Sequence, residues 1–153
     1  MDIREYAEEN CAELMGLFYD TVHTVNAADY TPAQLDAWAD GNADGAKWNA
    51  SFLLHRTLVA WMDEKIVGFA DMDDSGYLDR LYVHKDYQRR GIATALCDGL
   101  EKQLPGAQYI THASITAKPF FEKRGYVVLK EQQVRRADVW LTNYVMKKTS
   151  KLP

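Results

Sequence analysis

Cysteine is scarce in this chain. Cys11 and Cys97 are the only two, and each sits in an apolar run with helical spacing, which reads as two buried thiols rather than a disulfide or a metal pair. No stretch approaches the roughly 20 apolar residues that a membrane span requires, so no membrane role is expected. The first residues, Met1 to Glu5, lack the basic start, apolar middle and small-residue cleavage site of a secretory leader, and a cytoplasmic location follows as the expectation. Cationic excess is missing too. A formal net charge of −4 argues against general nucleic-acid binding, which depends on neutralising many phosphates.

What remains is ordinary for one globular domain spanning 1–153: a hydrophobic fraction of 47% and a charged fraction of 26%. Cys11, Leu14, Met15, Phe18, Val22 and Val25 recur at three-and-four spacing and predict a first helix. Thr31-Pro32-Ala33-Gln34 carries a capping box with proline in the first turn, predicting a second helix that ends near Gly41. The Gly-, Asn-, Asp- and Ala-rich stretch Asp40 to Asn49 reads as a loop. Phe52 to Met62 and Ile66 to Met72 read as strands around the turn Asp63-Glu64-Lys65. Tyr77 to Val83 follows as a further strand, with Tyr77, Asp79, Leu81 and Val83 on one face by simple alternation.

Ile92 to Leu104 has helical spacing and stops at Pro105-Gly106. A short strand at Tyr109 to Ala113, a short helix at Ala117 to Lys123 and a hairpin of Tyr126 to Val134 with Val139 to Met146 complete the order. The class is α+β, or mixed α/β, with one central sheet.

The strand at Tyr77 to Val83, the turn Gln88-Arg89-Arg90-Gly91 and the helix from Ile92 form a strand, turn and helix unit. The first backbone N–H groups of such a helix are unpaired, with the positive end of the helix dipole behind them. Gly91 lets backbone approach closely, Ala93 keeps the next turn slim, and Arg89 and Arg90 add charge, which suits a pyrophosphate. Neither a P-loop nor a dinucleotide-binding glycine pattern is present.

Two segments carry a resemblance. Gln88-Arg89-Arg90-Gly91-Ile92-Ala93 resembles the Gln/Arg-x-x-Gly-x-Gly/Ala acetyl-CoA motif of the GNAT acetyltransferase superfamily. Ala117-Lys118-Pro119-Phe120-Phe121-Glu122-Lys123-Arg124-Gly125-Tyr126 is similar to that family's Ala-x-x-Phe-Tyr-Glu-x-x-Gly-Phe segment, and the strand Leu78 to His84 looks like its fourth. The resemblance covers about residues 57 to 146. It implies a mostly antiparallel mixed sheet, flanked by helices, whose fourth and fifth strands splay apart around the pantetheine of acetyl-CoA. The cofactor role carries over onto Leu81, Tyr82, Val83, Arg89, Arg90, Gly91, Ile92, Ala93 and Thr94, with Ser114 and Phe121 as further contacts.

The implied reaction is direct attack of a primary amine on the thioester in a ternary complex, with no metal. The acceptor is expected to be a small-molecule amine; acetylation of a protein lysine or N-terminus and a non-catalytic acyl-CoA sensor are the alternatives. No nucleic-acid or membrane partner is implied, and a homodimer is allowed. Two positions depart from the pattern. Ser114 stands where the family often has asparagine, and Phe121 stands where it commonly has the tyrosine that protonates the departing thiolate, leaving the general acid unassigned among Tyr82, Tyr109 and Tyr144. An ammonium with a pKa of about 10.4 must lose a proton before it attacks. Asp79 is the first candidate base, Asp71 the second and His84 the third. His23, Tyr30 and Trp48 are the candidate acceptor contacts.

Overall fold

The computed structural model describes residues 1–149. Seven strands form one sheet in the order β1-β2-β3-β4-β5-β7-β6. They are β1 (Asp2–Glu5), β2 (Arg56–Met62), β3 (Lys65–Met72), β4 (Tyr77–Val83), β5 (Gln108–Ser114), β6 (Val127–Arg136) and β7 (Val139–Thr149). All neighbours are antiparallel except β4 and β5. The helices are α1 (Cys11–Thr24), α2 (Pro32–Trp38), α3 (Gly45–Leu54), α4 (Ile92–Gln103) and α5 (Lys118–Lys123). No helix among the described residues is long and apolar enough to cross a membrane.

The predicted capping box forms as written. Gln34 N–H donates to Thr31 Oγ1 at 3.2 Å, and Thr31 N–H donates to Gln34 Oε1 at 2.9 Å. The Asp40 to Asn49 stretch differs from expectation, because its second half begins α3. Asp44 accepts from Ala46 N–H and Lys47 N–H at 3.0 and 3.3 Å, a cap strong enough to start a helix in unpromising composition. Phe52 to Leu54 therefore belong to that helix, and β2 starts at Arg56. β1, a short charged edge strand, has no counterpart in the sequence-based order.

Two packed layers hold the sheet. On one face α4 lays Ile92, Leu96, Cys97 and Leu100 against Leu58, Val67, Leu78 and Val83. Gly68 makes that approach close, since a Cβ there would meet Ile92 Cγ2 at 3.0 Å and the Tyr82 carbonyl at 3.1 Å. On the other face α1 and α3 bury Leu14, Leu17 and Phe52 against Val59 and Phe69.

The register between β3 and β4 contains the feature on which the site depends. Asp71 pairs with Arg80 and Met72 pairs with Leu78, so Asp79 has no partner on β3. This is a bulge, which adds one residue and re-aims the side chains around it. Simple alternation across Tyr77, Asp79, Leu81 and Val83 fails here. Leu81 and Val83 pack with the α4 layer, whereas Arg80 lies over the Trp48 and Phe52 rings at 4.7 and 4.3 Å on the α1 and α3 side. The Asp79 carboxylate stays with Arg80, 3.8 Å away.

Asp71, fully buried, is the anchor of this region. Arg80 grips it with two bonds of 2.9 and 2.6 Å, and His55 Nδ1 meets it at 2.7 Å. A buried carboxylate with one partner removed is strongly destabilising. Arg80→Met should therefore cost about 3–5 kcal/mol, seen as a melting temperature lower by roughly 10 °C. The hydrogen bond to Asp71 raises the pKa of His55 above its ordinary value. A raised histidine pKa stabilises the fold at low pH and ceases to do so as pH climbs through the folded-state value. The stability gap between the native protein and His55→Gln should be widest in mild acid and shrink above about pH 6.5, as followed by urea denaturation across pH.

Candidate active site

β4 and β5 are joined only at Tyr77 with Ile110 and Leu78 with Thr111. Beyond Leu78 they part, and a cleft of about 440 Å³ opens between them. Its walls come from Leu78 to Val83, from Thr111 to Ser114, from the turn into α4 and from the start of α5, with Thr21 and Trp38 closing one side.

The turn has the backbone an anion site needs. Arg89 and Gly91 both have positive φ, at 61° and 79°, on either side of Arg90. Alternation of φ sign of this kind turns successive N–H groups toward one point. Arg89 is a non-glycine residue in the left-handed region, a strained conformation of the sort that concentrates at functional sites. α4 starts without any side-chain cap, in contrast to α2 and α3, so its first N–H groups remain available. A Cβ on Gly91 would meet no protein atom within 4 Å. Arg89, Gly91, Ile92, Ala93 and Thr94 line the cleft.

Arg90 does not. Its guanidinium sits over the Tyr87 ring at 5.0 Å, with Nη1 3.9 Å from Met62 Sδ, so its side chain braces the turn from outside. Leu81, Tyr82 and Val83 form the opposite wall, and the Val83 carbonyl accepts from Gln88 Nε2 at 2.6 Å. Ser114 Oγ accepts from Ala117 N–H at 3.0 Å and from Asn26 Nδ2 at 3.5 Å, which ties β5 to α5 and leaves the hydroxyl proton to donate. Phe121 is 3% exposed and lines the cleft. Thr21, on α1, contributes a buried hydroxyl without any hydrogen-bond partner.

A second cavity of about 160 Å³ adjoins the cleft, and the two share Trp38, Asp79, Tyr82, His112 and Ser114. Asp79 thus stands where they meet. Its side chain is 38% exposed, and burial followed by the nearby Asp71 charge raises its pKa above the usual carboxylate range, with Arg80 opposing. Asp79, Asp71 and His55 present ligand atoms within 4.8 Å of one another, and the Arg80 guanidinium already supplies the positive charge at that spot.

The other candidate bases fall elsewhere. Asp71 is sealed beneath Arg80 and His55 and faces neither cavity. His84 Nδ1 accepts from Asp86 N–H at 3.0 Å, capping the turn Lys85–Tyr87. Among the tyrosines, Tyr109 donates to the Leu104 carbonyl at 2.8 Å inside the core, and Tyr144 donates to Glu131 at 2.9 Å. Tyr82 alone of the three lines the cleft, and burial raises its pKa, keeping the phenol protonated.

The acceptor candidates divide in the same way. Tyr30 lines the second cavity with its ring, while its hydroxyl donates to the Thr142 carbonyl at 2.7 Å and accepts from Ile115 N–H at 2.9 Å. Trp48 packs on α3, 4.9 Å from the Phe18 ring and 5.7 Å from Phe52, and lines a separate cavity of about 430 Å³. His23 meets the Ala39 carbonyl at 2.7 Å and fastens α1 to the end of α2. Neither reaches the two joined cavities. Sequence patterns missed His112, Arg136 and Asn143, which line the second cavity, because only the parting of β4 from β5 brings them to one place.

Comparison with known proteins agrees with this geometry. The family model for the acetyltransferase (GNAT) domain matches residues 26–148. YafP of Escherichia coli strain K12, an uncharacterized N-acetyltransferase, is 34% identical over 147 residues, covering 96% of this chain and 95% of YafP. A GCN5-related N-acetyltransferase structure from Rhodopseudomonas palustris superposes with a TM-score of 0.92 at 36% identity, covering 97% of this chain and 94% of that one. The PaiA N-acetyltransferase of Thermoplasma acidophilum, solved with coenzyme A, has a TM-score of 0.75 at 17% identity, covering 97% of this chain and 98% of that one. A strand, turn and helix unit beside a splayed parallel pair, in a chain that the family model and a 34% identical relative match over most of its length, belongs to an acyltransferase of the GNAT family.

Proposed function

We propose that the chain moves an acetyl group from acetyl-CoA to the primary amine of a small molecule, by direct attack in a ternary complex. The observation that carries this reading is the bulge at Asp79. It puts a partly desolvated carboxylate where the cofactor-sized cleft meets the smaller cavity.

The residues present fit acetyl-CoA. The diphosphate belongs on the N–H groups from Arg89 to Thr94 with the Arg89 guanidinium beside it, a concave site of positive potential. Leu81, Tyr82, Val83, Ser114 and Phe121 form the walls for the pantetheine arm, and the unpartnered Thr21 hydroxyl supplies a hydrogen bond that burial would otherwise leave unmade. The structure of YncA from Salmonella typhimurium, solved with acetyl-CoA, shares the fold at a TM-score of 0.73.

When bound, acetyl-CoA supplies an activated thioester carbonyl. Asp79, directly or through one water, takes the proton that an ammonium must lose before it can attack. Its raised pKa suits the task, since a base works best with a pKa moved toward the operating pH. Tyr82 holds a proton on its hydroxyl for the departing sulfur. That acid has modest work to do, because a thiol has a pKa of about 8.5 and its thiolate leaves readily. Phe121 is therefore compatible with catalysis. The small volume of the second cavity favours a compact acceptor over a polypeptide, since pockets for drug-sized ligands start at about 300 Å³.

Two experiments test the reading. Gly91→Val adds a branched side chain in a left-handed position at the cradle, and calorimetry should show acetyl-CoA binding lost while circular dichroism shows a folded protein. Unchanged affinity would remove the anion site. Asp79→Asn should lower kcat by about 10²-fold or more and flatten the acidic limb of the pH profile, with acetyl-CoA affinity kept. The same variant should be more heat-stable than the native protein at pH 7, because a carboxylate with a raised pKa destabilises the fold above that pKa. Below about pH 4, where the carboxyl is neutral in both states, the difference should vanish.

A further inference from the structure

The acceptor cavity carries more information than its size. It contains one cation without a partner. Arg4, Arg56, Arg80, Arg124 and Arg135 are each paired with carboxylates, and Arg90 rests on the Tyr87 ring. Of the arginines among the described residues, only Arg89 and Arg136 have neither kind of partner, and each lines a cavity. Arg89 stands at the diphosphate cradle. Arg136 stands at the far cavity, at the end of β6 opposite Val139 of β7.

The same cavity offers groups of the opposite sense. Asn143 Oδ1 is buried without a hydrogen-bond donor, and the partly exposed Asp79 carboxylate stands at the mouth of the cleft. Both call for N–H groups. Asp79 and Arg136 line one cavity yet form no ion pair with each other, so a bound molecule can lie between them. Its flanks are aromatic: Tyr30, Trp38, Tyr77 and Tyr82.

We propose that the acceptor is a compact amino acid, its amine directed to Asp79 and Asn143 and its carboxylate held by Arg136. This rests on the acetyltransferase reading of the same site and names the substrate class for it. Guanidinium recognises carboxylate through two parallel N–H···O bonds, a geometry that a carboxamide or an ester cannot reproduce with equal strength. Atoms balance simply: the amine nitrogen bonds to the acetyl carbon, the carbon–sulfur bond breaks, the ammonium proton leaves through Asp79, and the sulfur departs as thiol with a proton from Tyr82, which is replaced by the second proton the nitrogen sheds as the amide forms.

The test is acetyl transfer, followed by thiol release, with matched sets: α- and ω-amino acids, their carboxamides and the corresponding decarboxylated amines. At least one amino acid should exceed its own carboxamide and amine in kcat/KM by about ten- to a hundredfold, the range for a hydrogen bond to a charged group. Arg136→Gln should erase that preference by raising KM for the carboxylated acceptor, with the carboxamide and acetyl-CoA affinity unaffected, and Arg136→Lys should restore part of it. Equal or better use of carboxamides and amines by the native protein would overturn the proposal, as would a uniform loss across all acceptors in Arg136→Gln. Calorimetric titration of the same sets into CoA-saturated protein reads the carboxylate preference without turnover. Failure of the transfer reaction is thereby told apart from failure of the carboxylate assignment.

Discussion

The cleft in this chain follows from two adjacent parallel strands that stay paired for only two positions. After Leu78 and Thr111 the backbones of β4 and β5 separate, and a sheet that would otherwise be solid acquires a cleft through it. Leaving strand backbone unpaired is costly where nothing else satisfies it. The cost is sustained because both strands are fixed from the outside, β4 by β3 and β5 by all seven of its register positions on β7. The bulge at Asp79 marks where β4 turns away and also delivers a carboxylate to the opening.

The flanking layers keep that opening fixed. Arg80, next to the bulge, is clamped on the buried Asp71 and covered by Trp48 and Phe52. On the opposite side, Arg124 bridges from α5 to Asp98 and Glu101 on α4, and Lys148 of β7 joins the same Glu101. This network fastens the end of α5, and with it Phe121, which lines the cleft. The turn before α4, held in a left-handed conformation at Arg89 and Gly91, closes the far end of the cleft.

Much of this was legible in the sequence, for local reasons. The turn Gln88 to Gly91, the helix it starts, the capping box at Thr31 and the Ala117 to Tyr126 segment each encode their geometry within a few residues. Features set by register or distant packing were not legible. Alternation placed Asp79 with Leu81 and Val83, and no local signal announces a bulge. Asp71 looked like a base because nothing nearby in sequence shows that His55 and Arg80 enclose it. The place of Trp48 was hidden because composition concealed the helix that Asp44 caps. Arg136 gave no local signal, because the pairing of β6 with β7 alone brings it to the cavity that Asp79 also lines.

The central claim is that the parted strands hold acetyl-CoA with its thioester directed to Asp79. A crystal structure of the protein with coenzyme A bound tests this most directly. The diphosphate is predicted on the N–H groups of Arg89 to Thr94, with the pantetheine between β4 and β5 and the sulfur beside the Asp79 carboxylate. A diphosphate bound elsewhere, or a pantetheine arm lying outside the gap between the two strands, would contradict it.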